Sequence, residues 1–281
     1  MTKAITASDI NKLRQTTGAG MMDCRKALQE SNGDFEAAID WLRKQGQKVA
    51  AKRQDREAKE GVIIAQTTND NKTGYLLCLG CETDFVAKNA DFLAFAQKLM
   101  DTAMQHNTQT LDALNSLTID GITVAEKINE YVGKIGEKIG ITRFDRIDAD
   151  GVSAYIHGAY RIGVLVGLNQ NSETALQAGR DVAMQIAAMN PVAVDEASVS
   201  ADTVAREKAI VMDQMQNDSK MAGKPAEMVE KIAIGKLSAF FKESTLMAQP
   251  FVKDNSKSVT EYLKSVDVNL KVLSFKRAAL G

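Results

Sequence analysis

The sequence predicts an α+β protein: a three-helix N-terminal domain, a core of two similar α+β subdomains, and an antiparallel helical hairpin inserted into the second. Three observations carry this. Apolar residues recur at helical spacing through the N-terminal segment. Two strand–strand–helix patterns follow, about ninety residues apart, as a duplicated unit would be. A polar, Met-rich helical stretch over 191–243 separates the last apolar runs from the rest of the second pattern.

In the N-terminal domain, 1–55, Ile10 and Leu13 mark a first helix starting at Thr6 or Ser8, broken by Gly18-Ala19-Gly20. Met21, Cys24 and Leu28 share one face of a second, which stops near Asn32-Gly33. Phe35, Ala38, Ile39 and Leu42 mark a third. The stretch Gly33-Asp34-Phe35-Glu36-Ala37-Ala38-Ile39-Asp40-Trp41-Leu42 resembles the last helix of a ubiquitin-associated (UBA) domain, which makes this domain UBA-like and implies docking more than ubiquitin binding. Beyond it the chain is charged, with seven Lys/Arg against three Asp/Glu over 43–60. It extends the third helix and then becomes a linker.

The first core subdomain, 56–150, has strand-like runs over 61–65 and 75–79, joined by the turn composition of 67–72. An amphipathic helix presents Phe92, Phe95, Ala96, Leu99 and Ala103. A further helix carries Val124, Ile128, Ile135 and Ile139 and ends at Gly140. The second subdomain, 151–190 and 244–281, repeats the plan: strands over 151–157 and 161–167, a turn at Asn169-Gln170-Asn171, and a helix with Val182, Ile186 and Met189 inward. Strands over 246–252 and 270–275 complete it. In the insert, Val204, Val211 and Met215 face Met228, Ile232 and Gly235 across a turn at Gly223-Lys224-Pro225. Its apolar stripes are too narrow to bury it in a core, so it is a candidate partner or dimerisation element.

A net charge of −1 argues against a general electrostatic trap for nucleic acid or anionic membrane. No apolar run is long enough to span a membrane. Met-Thr-Lys-Ala-Ile-Thr lacks the apolar core of a signal peptide, and three cysteines form no disulfide framework, which together predict a reducing cytoplasm. There is no phosphate-cradling G-x-x-x-x-G-K-[ST] and no G-x-G-x-x-G. The two histidines, His106 and His157, have no neighbours at metal-ligand spacing, and no Ser/His/Asp arrangement stands out. The sequence therefore predicts no catalytic site, no cofactor and no resident metal.

Cys78-Leu79-Gly80-Cys81 is a C-x-x-C at the end of a strand, where i and i+3 point to opposite faces. It is read as structural, with a redox enzyme as the alternative. Gly133-Lys134-Ile135-Gly136 resembles an RNA-clamping G-x-x-G, but Ile128, Ile135 and Ile139 keep helical phase through it, so it is read as a glycine-bearing helix. The basic segment 43–59 lacks interleaved aromatics and is read as a solvated face. An RNA- or ribosome-associated factor using it is the second alternative.

Cys81-Glu82-Thr83-Asp84-Phe85-Val86-Ala87-Lys88-Asn89 leaves two readings open. If the following helix begins early, with Thr83 or Asp84 as N-cap, Phe85 continues the Phe92 face into the core. Otherwise it is an exposed acidic-aromatic wedge. Of Met21 and Met22, only Met21 is in phase with Cys24 and Leu28, and a Met pair at a loop-to-helix junction suits an adaptable contact surface.

Thr16-Thr17-Gly18-Ala19-Gly20-Met21-Met22-Asp23-Cys24-Arg25-Lys26-Ala27-Leu28 resembles the N-terminal signature of the elongation factor Ts family, and Cys81-Glu82-Thr83-Asp84-Phe85-Val86-Ala87 resembles its second. His157-Gly158 before Arg161-Ile162-Gly163-Val164-Leu165-Val166, and Gln249-Pro250-Phe251-Val252, are similar to two more. The resemblance runs from about Thr6 to Phe275, with the four in order. It implies a non-enzymatic guanine nucleotide exchange factor that binds elongation factor Tu, both GDP-bound and nucleotide-free. It implies that Thr83, Asp84, Phe85 and Val86 dislodge Mg2+, with Asp84 and Phe85 intruding beside the nucleotide. Arg14, Met21 and Met22 are implied to touch the same G domain, and His157 to approach the partner. A homodimer or 2:2 complex through the hairpin is compatible with it. The family commonly continues past the last strand with a Gly-Glu-Gly-containing tail, and contacts made by such a tail do not carry over to Ser274-Phe275-Lys276-Arg277-Ala278-Ala279-Leu280-Gly281.

Overall fold

A computed structural model describes residues 5–217 and 226–281. It is a mixed α and β structure, as the sequence predicts, with two compact units. The first unit comprises Met1–Ile64, Tyr75–Arg146 and Ala278–Gly281, and the second Ala65–Gly74 and Ile147–Arg277.

The first unit opens with three helices, α1 (Ala7–Thr17), α2 (Met21–Glu30) and α3 (Phe35–Lys52). Thr6 and Asp9 form a reciprocal capping box at the start of α1, and Gly18 ends it in the left-handed conformation with φ 67°. Leu13, Cys24, Ala27, Leu28 and Ala38 form the small core of these helices, with Phe35, Ile39 and Leu42 packed against it. Met21 does not join them. It is 53% exposed, and Met22 is 71% exposed, so helical phase overstated the burial of the first.

Strands β1 (Glu60–Thr67), β2 (Thr73–Cys81) and β5 (Gly140–Asp148) form one sheet in the order β1-β2-β5. The central β2 is buried from Gly74 to Cys81. After β2 come α4 (Asp84–Ala87), α5 (Ala90–Gln105), α6 (Leu111–Ser116), a short pairing of β3 (Thr118–Ile119) with β4 (Ile122–Thr123), and α7 (Val124–Ile135). Phe92, Phe95, Ala96, Leu99 and Ala103 are all buried, as their spacing predicts.

The end of α7 is a correction. The helix stops at Gly136, which adopts φ 78° and donates its N–H to Val132. Ile139 is buried but leads into β5 rather than continuing the helix to Gly140. Gly133 serves packing: a Cβ there would lie 2.8 Å from Gly46 Cα, and one on Gly46 would lie 2.7 Å from the Asn129 carbonyl oxygen. These two glycines let α3 and α7 approach backbone to backbone.

In the second unit, β6 (Gly151–His157) and β7 (Ile162–Leu168) form an antiparallel hairpin pairing His157 with Ile162. β10 (Val272–Ala279) completes a sheet ordered β10-β7-β6. Helix α8 (Glu173–Met189) packs on β6 and β7, burying Val182 and Ile186 in a core shared with Val164, Val166, Leu246, Phe251, Val259 and Leu263. Met189, predicted inward, is exposed at the helix end, where Asn190 turns left-handed. The predicted strand over 246–252 is mostly a 3-10 turn, Leu246–Ala248, before the two-residue β8 (Pro250–Phe251). β9 (Asp254–Ser258) and α11 (Val259–Val266) then precede β10.

Between α8 and that turn stand α9 (Ala201–Gln216) and α10 (Ala226–Ser244), which pack against each other through Val211, Met215, Ile232, Ala233 and Leu237. Met228, predicted in this seam, is exposed. The predicted turn at Gly223-Lys224-Pro225 lies outside the described residues. The chain leaves and re-enters side by side: Ala193 and Thr245 form a parallel bridge, and the Val192 N–H donates to the Ser244 carbonyl at 2.9 Å.

Candidate functional site

Residues 82–89 leave the buried end of β2, where the sheet no longer supplies partners for backbone N–H groups. One carboxylate replaces them. The Glu82 and Thr83 N–H groups donate to Glu137 Oε2 at 3.1 and 3.0 Å, and the Thr83 hydroxyl donates to Glu137 Oε1 at 2.6 Å. A return contact runs from the Lys138 N–H to Glu82 Oε1 at 2.6 Å. Residues 82–83 and 137–138 therefore hold each other by exchanged carboxylates, a charge-assisted arrangement.

Glu82 also binds Arg53 at 2.6 Å and Arg56 at 3.0 Å, while Lys138 Nζ donates to the Gln54 and Arg56 carbonyls, each at 2.6 Å. Burial pushes the Glu82 carboxyl up. The Lys138 N–H and the two guanidiniums outweigh it and hold the group below its ordinary value.

On this base sits the single turn α4. The Ala87 N–H donates to the Thr83 carbonyl at 3.2 Å and the Lys88 N–H to that of Asp84 at 3.0 Å. Thr83 occupies the N-cap position without capping, because Glu137 takes its hydroxyl. Asn89 then caps α5, accepting the Asp91 N–H at 2.8 Å. The break at Lys88 and Asn89 keeps Phe85 from continuing the Phe92 face. Its ring is 84% exposed, so of the two open readings the exposed one holds. Asp84 pairs with Lys88 at 2.6 Å, and that hydrogen bond keeps its carboxyl below the usual range. Val86 is half-buried.

A family model described as "Elongation factor TS" matches residues 82–281. Elongation factor Ts of Christiangramia forsetii is 48% identical over 277 residues, covering 99% of both chains. That of Amoebophilus asiaticus is 48% identical over 279 residues with the same coverage. That of a Nitratiruptor species is 40% identical over 289 residues, covering 99% of this chain and 93% of the relative. The chain belongs to the elongation factor Ts family.

For a member of the elongation factor Ts family, α7 is the common support in the first unit. It packs on α3 and leads directly to Glu137 and Lys138. Its Lys134 lies over the Tyr131 ring at 5.6 Å, 3.9 Å from Asp91, and so close to Gly18 that a Cβ there would be 2.8 Å from Lys134 Cε. Arg14, Met21 and Met22 are exposed on α1 and α2 of that unit. His157 is exposed in the second unit, at the end of β6, with Nδ1 2.9 Å from the Tyr155 hydroxyl. The structure thus gathers Thr83, Asp84, Phe85 and Val86 into one turn, while Arg14, Met21 and Met22 belong to other elements of the same unit and His157 to the second unit.

Sequence reasoning missed Glu82, Arg53, Arg56, Glu137 and Lys138. Glu137 stands 55 residues from Glu82, and the only local signal was its place directly after the glycine that ends α7. Cys78 and Cys81 are buried, and desolvation pushes both thiols up to about 12, which leaves them protonated and poor nucleophiles. Three cations of the basic segment, Arg43, Arg53 and Arg56, are paired with Glu130 or Glu82.

Proposed function

We propose that this chain binds elongation factor Tu and promotes GDP release, with no reaction centre of its own, by pressing Phe85 beside the nucleotide site of that GTPase. One observation carries this: an almost fully exposed phenylalanine on a single turn whose base is held by the Glu137 carboxylate. An exposed ring gains about 1.5–3 kcal/mol when buried against a partner, and a fixed base lets that gain displace the partner rather than the ring. GDP and Mg2+ hold a GTPase site through phosphate–metal contacts, so moving the metal-binding elements loosens both. Asp84, charged through the neutral range, adds a negative group next to the ring.

Arg14, Met21, Met22 and His157 supply further contacts in this reading, and their binding free energy offsets the distortion of the site. The finer division into 1–55, 56–150, 151–190 with 244–281, and the hairpin 191–243 belongs to the same reading, as does a cytoplasmic location. Among the described residues no helix is long and apolar enough to cross a membrane.

Such a protein must prefer the nucleotide-free partner. Linkage then fixes a testable equality: GDP weakens the complex by the same factor by which the protein weakens GDP binding. Titration calorimetry with purified elongation factor Tu, with and without GDP, measures both factors. Tight binding that GDP leaves unchanged contradicts the proposal.

A further inference from the structure

His157 is held at two levels. Its backbone closes a turn of unusual geometry: Gly158, Ala159 and Tyr160 have φ of 63°, 52° and 69°, a run of three left-handed residues. Non-glycine residues rarely enter that region, and then singly, so Ala159 and Tyr160 are strained. The hairpin register enforces the turn, with His157 opposite Ile162 and the Arg161 N–H donating to the His157 carbonyl at 3.2 Å. Its ring is held separately. Tyr155 lies two residues earlier on the same strand face, packed against the core of the second unit, and its hydroxyl is 2.9 Å from His157 Nδ1. The rings are 6.0 Å apart.

A phenol is a good donor and a poor acceptor, whereas the bare nitrogen of a neutral imidazole is a good acceptor. We infer that Tyr155 is a positioning residue whose hydroxyl keeps the His157 proton on Nε2, so that the imidazole presents a fixed N–H donor to a carbonyl or carboxylate oxygen on elongation factor Tu. This rests on the exchange-factor reading and adds to it the half-buried Tyr155, two residues before His157 on the same strand. The strained turn serves the same end: it stops the strand at His157 and fixes the ring's point of attachment. An anchored donor loses less freedom on docking than a loose one.

Nitrogen-15 NMR of the imidazole at pH 8.5, roughly two units above the ordinary histidine value, reads the tautomer directly. The full chain is expected to show a protonated Nε2 and an unprotonated, hydrogen-bonded Nδ1, and Tyr155→Phe a tautomer mixture. Tyr155→Phe is expected to weaken binding to nucleotide-free elongation factor Tu about two- to ten-fold, the worth of one hydrogen bond. In a His157→Gln background, where the amide N–H takes the place of the imidazole donor without help from Tyr155, the same change is expected to cost nothing. A protonated Nδ1 in the unaltered chain, or equal losses in both backgrounds, overturns the inference. Phe85→Ala measured alongside separates the two levels. Slowed GDP release there with unchanged affinity in Tyr155→Phe leaves the exchange reading standing and removes this one; no effect in either removes both.

Discussion

Glu137 holds Thr83 at two points, accepting its hydroxyl on one carboxylate oxygen at 2.6 Å and its backbone N–H on the other at 3.0 Å. A bidentate grip of this kind fixes the residue's backbone and side chain together, two positions before the exposed Phe85 ring. The site's stiffness therefore comes from across the fold rather than from the one-turn helix itself.

Glu137→Ala leaves the Glu82 and Thr83 N–H groups and the Thr83 hydroxyl without this partner. The expected cost is about 1–3 kcal/mol of folding stability, moderated by the water that reaches the half-buried site. Hydrogen exchange at amides 82 and 83 is the sharper readout. Both are expected to exchange faster in the variant; unchanged protection contradicts the assigned role.

Glu82 gives the loop a pH dependence. Its folded-state value lies below the ordinary glutamate value of about 4.3, so its contribution is fully present above that value. Stability is expected to fall as acid takes the carboxyl through its lowered folded value and protonates it. Glu82→Gln should remove this part of the acid transition while leaving a less stable protein at neutral pH. Denaturant melts between pH 3 and 7 test it, and an identical acid profile in the variant refutes it.

The periodic and the strongly buried parts of this fold were legible in the sequence. Phe92, Phe95, Ala96, Leu99 and Ala103 repeat at helical spacing because one face meets the core, and all are buried. β5 was not legible: Arg143, Asp145 and Arg146 interrupt it, as befits a strand at the edge of its sheet. The short α11 buries only Val259 and Leu263, too few for a period to emerge. Gly133 and Gly136 looked like one motif but do separate work, a close helix crossing and a helix end. The resemblance located Phe85, but residue spacing left its exposure undecided; that depends on the break at Lys88 and Asn89, which ends α4 after one turn and starts α5 afresh.

Gly133→Ala tests the crossing of α3 and α7. The added Cβ would meet backbone at 2.8 Å, where no flexible side chain can yield. The expected loss is about 1–3 kcal/mol, typical of overpacking. A thermal melt at the parent temperature would show that the helices have room after all.

Removing the α9–α10 pair should spare both fold and exchange. Its ends meet at the Ala193–Thr245 bridge, and its apolar seam is its own cluster, so a short glycine linker replacing 196–243 closes a small gap. Retained GDP release by the shortened chain is the expected outcome. Loss of release with the fold intact would place the pair in the exchange surface.

Stopped-flow release of a fluorescent GDP from elongation factor Tu reads the role of the Phe85 ring most directly. Phe85→Ala removes a ring that makes almost no contacts in this chain, so the variant should keep its melting temperature while release slows roughly ten- to hundred-fold, the equivalent of about 1.5–3 kcal/mol at the transition state. Release as fast as with the unaltered protein, from a variant that still binds, contradicts the wedge.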